Sequence, residues 1–206
     1  ILKYEGKLYP CTIPLIGRFN VYNCLAAIGV ALTKKLPLDK IIKELVTLPS
    51  PPGRLQAVPN KKGLKIYVDF AHSDDALANV LECLKEVKTG KILTVFGCGG
   101  NRDSFKRPKM AQVSENLSDF TIVTSDNPRN EKPEDIAKEI VAGFRDPKSF
   151  IIELDRREAI KKAVRMADQE DIILIAGKGH ETYQIFAHKT IEFDDVKEAA
   201  QICEEL

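Results

Sequence analysis

The sequence predicts an α/β fold in which helices cover both faces of a doubly wound, mostly parallel sheet. From residue 65 onward, short β-branched and aromatic runs alternate with amphipathic segments of ten or more residues. These runs are continuously apolar, which is typical of strands buried on both faces. Loops rich in Gly, His, Asp and Arg follow four of the runs, at the edge where such sheets bind ligands.

The first fifty residues follow a different pattern and predict a separate unit. Residues 1–16 alternate loosely and are interrupted by glycine and proline, which predicts short antiparallel strands. Apolar residues then recur at helical spacing from Val21, with Asn20 as the expected N-cap, and a second helix is predicted over 38–48. Because Pro49-Ser-Pro-Pro-Gly53 reads as a linker, we divide the chain into residues 1–49 and 50–206.

Five strands and four helices are predicted beyond this linker. The strands are expected at 65–70, 91–96, 120–125, 150–154 and 171–176. The helices between them are expected at 75–87, 108–117, 133–143 and 156–167. Residues 183–186 and 190–193 predict a hairpin at the edge of the sheet, and residues 195–206 predict a closing helix.

Composition excludes several classes of protein. With 31 Lys and Arg against 30 Asp and Glu, the formal charge of +1 does not predict a nucleic-acid partner. The longest apolar run, 24–32, is about half of the ~18 residues that a membrane span needs, so no transmembrane segment or membrane partner is expected. Five scattered cysteines without a C-x-x-C motif fit a reducing compartment better than a disulfide scaffold. Because the chain begins at Ile1 within a strand-like pattern, we expect it to be a piece of a longer protein.

The four polar loops are the expected ligand site. They are residues 69–75, 97–103, 125–129 and 177–181. Each follows a predicted parallel strand, and the carboxyl ends of parallel strands open at one edge of a sheet. The sequence therefore predicts a single site built from all four loops.

Two glycine-rich motifs among these loops leave alternatives open. Gly97-Cys-Gly-Gly-Asn-Arg102 resembles a dinucleotide-binding turn, but Arg102 stands where G-x-G-x-x-G requires glycine, and a plain strand–helix turn fits equally well. Arg102 and Arg107 favour an anionic ligand. Gly177-Lys-Gly-His-Glu181 has neither P-loop nor H-E-x-x-H spacing, and the three histidines are too far apart in sequence to predict a metal site.

The Asp126-Asn-Pro-Arg129 loop is more informative. Pro128 restricts its own backbone and that of Asn127, so the loop is expected to be rigid. A rigid loop would aim the planar guanidinium of Arg129 at a carboxylate. A solvated turn that caps the next helix is the alternative for this motif alone.

The order of the motifs resembles the Mur ligase family, the cytoplasmic ATP-dependent amide-forming enzymes of peptidoglycan synthesis. Gly17-Arg-Phe-Asn20-Val-Tyr-Asn23-Cys-Leu-Ala-Ala27 is similar to the family's G-x-F-N-x-x-N-x-L-A-A element. The other shared motifs follow in the family's order, almost end to end: Pro52-Gly-Arg54, Asp69-Phe-Ala-His72, Gly97-Cys-Gly-Gly-Asn-Arg-Asp103, Asp126-Asn-Pro-Arg129 and Gly177-Lys-Gly-His-Glu181. Among family members, the chain looks most like those that add diaminopimelate.

The resemblance implies a Rossmann-like C-terminal domain at residues 50–206, preceded by the tail of a central ATPase domain at residues 1–49. It implies addition of meso-2,6-diaminopimelate to UDP-MurNAc-L-Ala-D-Glu through an acyl phosphate, with ATP and Mg²⁺. The P-loop, the carbamylated lysine and most Mg²⁺ ligands of the family would lie upstream. This chain would then hold no catalytic residue and no metal ligand, and would be inactive alone. A monomer that binds small molecules is expected.

Individual site residues follow only from the resemblance. The residues implied to contact ATP are Asn20, Asn23, Arg54, Asp69 and His72. The residues implied to hold the incoming amino acid are Arg102, Asp126, Asn127, Arg129, Gly177 and Glu181. Arg156 matches a family arginine without a role assigned here. Ser73-Asp74 replaces the family's usual Thr-Pro, and we expect Ser73 still to cap the following helix.

The charges of the implied site favour diaminopimelate over lysine. The distal end of diaminopimelate carries a carboxylate, which Arg102 or Arg129 can meet, and an ammonium, which Glu181 can meet. Lysine offers only an ammonium, which Arg129 would repel. Three alternatives stay open: a lysine-adding sister ligase, a folylpolyglutamate synthetase, which would not be expected to carry this set of loops, and a non-catalytic nucleotide- or amino-acid-binding module.

Overall fold

The chain divides near residue 51. A computed structural model describes all 206 residues, which form two units, Ile1–Pro51 and Pro52–Leu206. The division falls inside the proline-rich linker, two residues beyond the boundary expected from the sequence. No helix is long and apolar enough to cross a membrane.

The first unit consists of a short hairpin and two helices. Its elements are β1 (Leu2–Tyr4), β2 (Lys7–Tyr9), α1 (Arg18–Thr33) and α2 (Leu38–Leu45), and the two strands pair antiparallel. The small core is formed by Cys24 and Ile28 of α1 with Ile41 and Leu45 of α2. In each helix the two residues are four positions apart, so they lie on one face, which is turned inward.

The expectation that Asn20 caps the first helix is wrong. The helix begins at Arg18, and Gly17 occupies the N-cap position with a φ of 96°. Asn20 therefore lies inside the first turn, where it is buried and donates from Nδ2 to the carbonyl of Ile16 over 2.8 Å. A left-handed glycine can start a helix without a side-chain cap.

The second unit is built on a six-stranded sheet. Its strands are β3 (Gln56–Ala57), β4 (Lys65–Asp69), β5 (Ile92–Phe96), β6 (Phe120–Val123), β7 (Phe150–Ile152) and β8 (Ile172–Ala176), in the order β3-β4-β8-β5-β6-β7. The five longer strands pair parallel, and β3 pairs antiparallel with β4 at one edge. The sequence-based prediction of a mostly parallel sheet is confirmed.

Helices cover both faces of this sheet. They are α3 (Asp74–Val87), α4 (Lys106–Leu117), α5 (Pro133–Val141), α6 (Arg156–Met166) and α7 (Asp195–Glu205). Helices α6 and α7 pack on the face that carries Ile173 and Ile175, whereas α3, α4 and α5 pack side by side over the other face. The alternate strand residues Ile172 and Leu174 are buried as well, as the continuous apolar run predicts.

Two local features test the sequence-based expectations further. The predicted cap of α3 is confirmed, because Ser73 Oγ accepts from the amide of Ala76 over 3.3 Å. The predicted hairpin also forms, as β9 (Tyr183–Phe186) and β10 (Lys189–Glu192), but it is a separate two-stranded sheet rather than an edge of the main one. An isolated parallel bridge between Arg129 and Phe186 links it to the loop after β6.

Candidate functional site

The four polar loops surround one cleft at the carboxyl ends of β4, β8, β5 and β6, which are consecutive in the sheet. The cleft has a volume of about 340 Å³. Its lining includes all six residues that the resemblance assigns to the amino acid, Arg102, Asp126, Asn127, Arg129, Gly177 and Glu181, together with Phe70, His72, Cys98, Asp103 and Lys106. The topology thus collects side chains that are up to 111 residues apart in sequence, counted from Phe70 to Glu181.

Glycine is required where these loops approach one another most closely. A Cβ on Gly97 would lie 2.1 Å from the carbonyl oxygen of Thr124, a backbone atom that cannot move aside. Gly177 adopts a φ of 110°, and a Cβ there would meet Asp126 Oδ2 at 2.9 Å. The first glycine of one motif therefore lets two backbone segments pack directly, and the first glycine of the other leaves room for the Asp126 side chain.

The loop after β6 holds Arg129 by backbone contacts. Arg129 has a φ of 52°, and its amide donates to the carbonyl of Ile185 over 3.0 Å. Its Nη1 donates to the carbonyls of Gly100 (3.0 Å) and Asn127 (3.3 Å). The guanidinium is therefore positioned without being neutralised.

A buried polar network lies beside Arg129. Asn127 Nδ2 donates to Glu181 Oε2 over 2.8 Å, and Asn127 Oδ1 accepts from the amide of Ile185 over 2.9 Å. Lys178, which is completely buried, donates from Nζ to the same Glu181 oxygen over 3.1 Å and to Asn127 Oδ1 over 3.2 Å. The other Glu181 oxygen, Oε1, makes no hydrogen bond within the chain, and the side chain is 22% exposed.

The cleft also contains a buried thiol. Cys98 Sγ lies 3.7 Å from Met110 Sδ, and burial raises the pKa of this cysteine to about 12. The thiol therefore stays protonated at neutral pH and is a poor nucleophile. The cleft is built for recognition by charge and hydrogen bonding rather than for covalent catalysis by cysteine.

The residues implied to contact ATP in the second unit lie around the end of β4. Asp69 is buried and accepts from the amides of Leu55 (2.7 Å) and Ala71 (2.8 Å). Burial raises the pKa of Asp69, against the opposing effect of these two hydrogen bonds and of Arg54. Because Leu55 has a φ of 40°, the carboxylate supports an unusual turn of the backbone.

This turn presents Arg54 to solvent. Arg54 is exposed, and its guanidinium carbon lies 5.5 Å from the centre of the Phe70 ring. The exposed ring of His72 lies 4.6 Å from the same phenyl ring, and its Nδ1 is 2.9 Å from the Phe70 carbonyl oxygen. Two polar side chains, one of them cationic, are thus arranged around one aromatic ring.

The other two residues implied to contact ATP belong to the first unit. Asn23 Nδ2 donates to Asn20 Oδ1 over 3.3 Å, one helical turn away. Both side chains therefore form a local chain of hydrogen bonds that ends at Ile16.

Two buried cations near the cleft, Lys178 and Arg156, have contacts that the sequence did not predict. Lys178 was visible only as the second residue of Gly177-Lys-Gly, and neither composition nor spacing indicated that it would be buried. Arg156 was noticed without a role. It forms a fully buried ion pair with Asp195. It also donates to the carbonyl of Ala176 at the end of β8 (3.0 Å) and to the carbonyl of Ser125 directly before Asp126 (3.3 Å). No group of three or more His, Cys, Asp or Glu residues is placed to hold a metal ion.

Fold and site together define a doubly wound domain with a cleft lined by charged side chains at the carboxyl ends of its strands. Residues 53–179 match the family described as Mur ligase, glutamate ligase domain, and the chain belongs to the Mur ligase family. The resemblance noted from the motifs is confirmed.

Curated relatives share this sequence closely. The chain is 46% identical over 201 residues to the UDP-N-acetylmuramoyl-L-alanyl-D-glutamate–2,6-diaminopimelate ligase of Fusobacterium nucleatum, with 97% of this chain and 41% of the relative covered. It is 50% identical over 197 residues to the enzyme of that name from Chlamydia caviae, with 94% and 40% covered. The chain thus spans about 40% of the length of the curated relatives it matches.

Solved structures share the fold. A structure of a UDP-N-acetylmuramoyl-L-alanyl-D-glutamate–2,6-diaminopimelate ligase matches with a TM-score of 0.76 and 39% identity, over 95% of this chain and 40% of that chain. A Mycobacterium tuberculosis folylpolyglutamate synthase complexed with ADP matches with a TM-score of 0.63 and 20% identity, over 80% and 38%. At that lower identity the likeness shows the fold alone.

Proposed function

We propose that this chain is the amino-acid-binding part of an ATP-dependent ligase that adds meso-2,6-diaminopimelate to UDP-N-acetylmuramoyl-L-alanyl-D-glutamate. The observation that carries the proposal is a pair of cleft arginines, Arg102 and Arg129, neither of which takes part in any ion pair of the chain. Both stand in the cleft that also contains Glu181. The names of the relatives support the same substrate.

The chemistry of diaminopimelate fits these groups. Its distal end carries a carboxylate and an ammonium on one carbon, so both charges must be met within a short distance. Arg129, held by two carbonyls, would receive the carboxylate together with Arg102, because a guanidinium fork matches a carboxylate. Glu181 would receive the ammonium through Oε1. Asp126, Asn127 and Gly177 would complete the contacts.

Lysine fits the same cleft poorly. Its side chain ends in an ammonium without a carboxylate, so Arg102 and Arg129 would stay unpaired and would repel it. Leaving a desolvated charge without a partner costs several kcal/mol. We therefore propose that the cleft selects diaminopimelate by the cost of the mismatch as well as by direct contacts.

The exposed side chains around Phe70 fit a nucleotide. Arg54 and His72 would face phosphate oxygens or the base of ATP, while Asp69 supports the turn that carries Arg54. Asn20 and Asn23 would contribute from the first unit. ATP supplies the phosphoryl group that activates the acceptor carboxylate as an acyl phosphate, which the amine of diaminopimelate then attacks. We assign the Mg²⁺ ligands to the part of the relatives' length that this chain does not span.

The isolated chain is expected to be inactive. It contains no G-x-x-x-x-G-K-[ST] motif, and we propose that residues 1–49 are the tail of a central ATPase domain that would carry this motif. As a ligase of small molecules, the whole protein is expected to act as a cytoplasmic monomer.

The test is release of ADP by the full-length protein. ATP, Mg²⁺ and the UDP-muramoyl dipeptide are supplied with diaminopimelate, with lysine or without an amino acid, and the 206-residue chain serves as the control. We expect turnover only by the full-length protein, with diaminopimelate strongly preferred over lysine. Turnover with lysine instead would contradict the assigned specificity, and no turnover with any amino acid would favour a binding module.

A further inference from the structure

We propose that the buried Lys178 is a specificity-determining residue, whose charge makes the cleft select an amino acid with a distal carboxylate. The inference rests on the proposed function and deepens it. Lys178 is completely buried, whereas lysine is almost never buried without a partner. It lines no part of the cleft surface and would touch no substrate.

Lys178 acts on the cleft through Glu181. Its Nζ and Asn127 Nδ2 both donate to Glu181 Oε2, at 3.1 Å and 2.8 Å. Two donors on one oxygen hold the carboxylate in one orientation and leave Oε1 as the only oxygen available to a ligand. The lysine therefore determines how much of the negative charge of Glu181 remains for an incoming ammonium.

The charge balance of the cleft depends on this residue. Among the fully charged lining side chains, three are cations and three are anions: Arg102, Lys106 and Arg129 against Asp103, Asp126 and Glu181. Lys178 lies directly behind Glu181 and makes the sum positive. Two other buried cations lie in this region, and neither adds positive charge to the sum. Arg156 is paired with the equally buried Asp195, and Arg107 is paired with Glu131 and Glu139.

A positive cleft discriminates between the two amino acids. The distal end of diaminopimelate is a zwitterion, so removing one cation behind the cleft weakens binding of its carboxylate and strengthens binding of its ammonium, and these effects oppose each other. The side chain of lysine ends in an ammonium alone, so only the favourable effect remains. Loss of Lys178 should therefore raise kcat/KM for lysine relative to kcat/KM for diaminopimelate, because charge interactions are strong away from bulk water.

The experiment compares K178M, K178Q and K178R with the wild type in the full-length protein, by kcat/KM for diaminopimelate and for lysine from ADP release. We expect the ratio of kcat/KM for diaminopimelate to kcat/KM for lysine to fall roughly tenfold in K178M, which loses both charge and hydrogen bonds. K178Q keeps a donor but loses the charge and should show the same fall, which also covers the case in which K178M does not fold. K178R keeps the charge and should retain most of the ratio.

A merely structural role would give a different pattern. If both kcat/KM values fell together and the ratio stayed at the wild-type value in K178M and K178Q, the inference would be overturned while the proposed function stood. If the wild type did not use diaminopimelate, the proposed function would be wrong, and the inference with it.

Discussion

Two ion pairs near the carboxyl end of β8 have a completely buried cation, and they differ in their anion. In Arg156–Asp195 both side chains are fully buried, and each Asp195 oxygen accepts from the guanidinium over 2.8 Å. In Lys178–Glu181 the carboxylate is 22% exposed, and only one of its oxygens is occupied from within the chain. We call Arg156–Asp195 the closed pair, because both carboxylate oxygens accept hydrogen bonds from within the chain. We call Lys178–Glu181 the open pair, because one carboxylate oxygen stays available to a ligand.

The difference separates architecture from recognition. Arg156 also donates to the carbonyls of Ser125 and Ala176, so the closed pair ties two strand ends to the start of α7. Glu181 of the open pair lines the cleft that Arg129 also borders, whereas neither residue of the closed pair lines it. We infer that the closed pair holds the loops in place and that the open pair selects the ligand.

The largest expected effect comes from breaking the closed pair. Arg156→Met should lower the free energy of unfolding by about 3–5 kcal/mol, because Asp195 would be left as a buried, unpaired charge. Lys178→Met should cost less, since water in the cleft can hydrate Glu181. Urea unfolding of both variants and the wild type measures the two losses.

A double variant provides the control for this prediction. Arg156→Met combined with Asp195→Leu leaves no orphan charge, so it should recover a large part of the stability lost in the single variant. If single and double variants were equally unstable, the buried charge would not be the cause. If Lys178→Met were as destabilising as Arg156→Met, the distinction between closed and open pairs would fail.

The next largest effect is expected in the cleft that Glu181 of the open pair lines. In the full-length protein, Arg129→Ala should raise the KM for diaminopimelate about 10- to 100-fold, because it removes a hydrogen-bonded charge contact with the substrate. Arg157→Ala is the matched control, because Arg157 is paired with Glu198 and Glu205 rather than lining the cleft. An unchanged KM in Arg129→Ala would refute the role assigned to this loop.

The smallest effect concerns a third, partly exposed pair. Hydrogen bonds from Arg107 and from the amide of Asn101 hold the pKa of Glu131 below its ordinary value of 4.5. A lowered pKa means that the folded chain binds its proton less readily than the unfolded chain. The stabilisation is therefore complete above the unfolded pKa and is lost as the pH falls through the folded one.

Glu131→Gln should accordingly be less stable than the wild type at pH 7, by less than about 1 kcal/mol, and the difference should shrink below about pH 4.5. Thermal unfolding of both proteins at pH 7 and pH 4 measures this change. Glu82→Gln, in the middle of α3, removes an exposed carboxylate that forms no ion pair and serves as the control. A stability difference that is constant or grows on acidification would contradict the assignment.

Sequence patterns predicted the regular elements of the second unit well. They did not predict its short edge strand or the residue at which the first helix of the chain begins. The run predicted at 171–176 is found as Ile172–Ala176, because these five consecutive apolar residues have few other stable arrangements. The strand at 56–57 was missed, since two residues carry no detectable periodicity. The helix that begins at Arg18 was placed three residues late, because Asn20 is a frequent N-cap whereas Gly17 starts this helix through its positive φ.

The candidate site was predicted as a set of loops but not as a network. Parallel strands place their following loops at one edge, so polar loops after four strands implied a common site before any contact was known. Which of those side chains are buried, paired or free depends on strand order, which places β8 between β4 and β5. Asp195 could not be assigned a partner from spacing, because it lies 39 residues from Arg156. Lys178 lies three residues from Glu181, but that spacing predicts neither its burial nor its contact with Asn127, 51 residues away.

The sequence by itself determined the fold class, the family and the loops that form the cleft, because apolar periodicity and local motifs are encoded within short stretches of chain. Only the tertiary structure decided which charges are closed and which remain open to a ligand. That outcome depends on burial and on contacts between distant strands, and these exist only after the sheet has assembled. Arg156 and Lys178 are both basic residues in the sequence. In the fold, Arg156 connects strand ends to α7, whereas Lys178 places a positive charge behind the cleft.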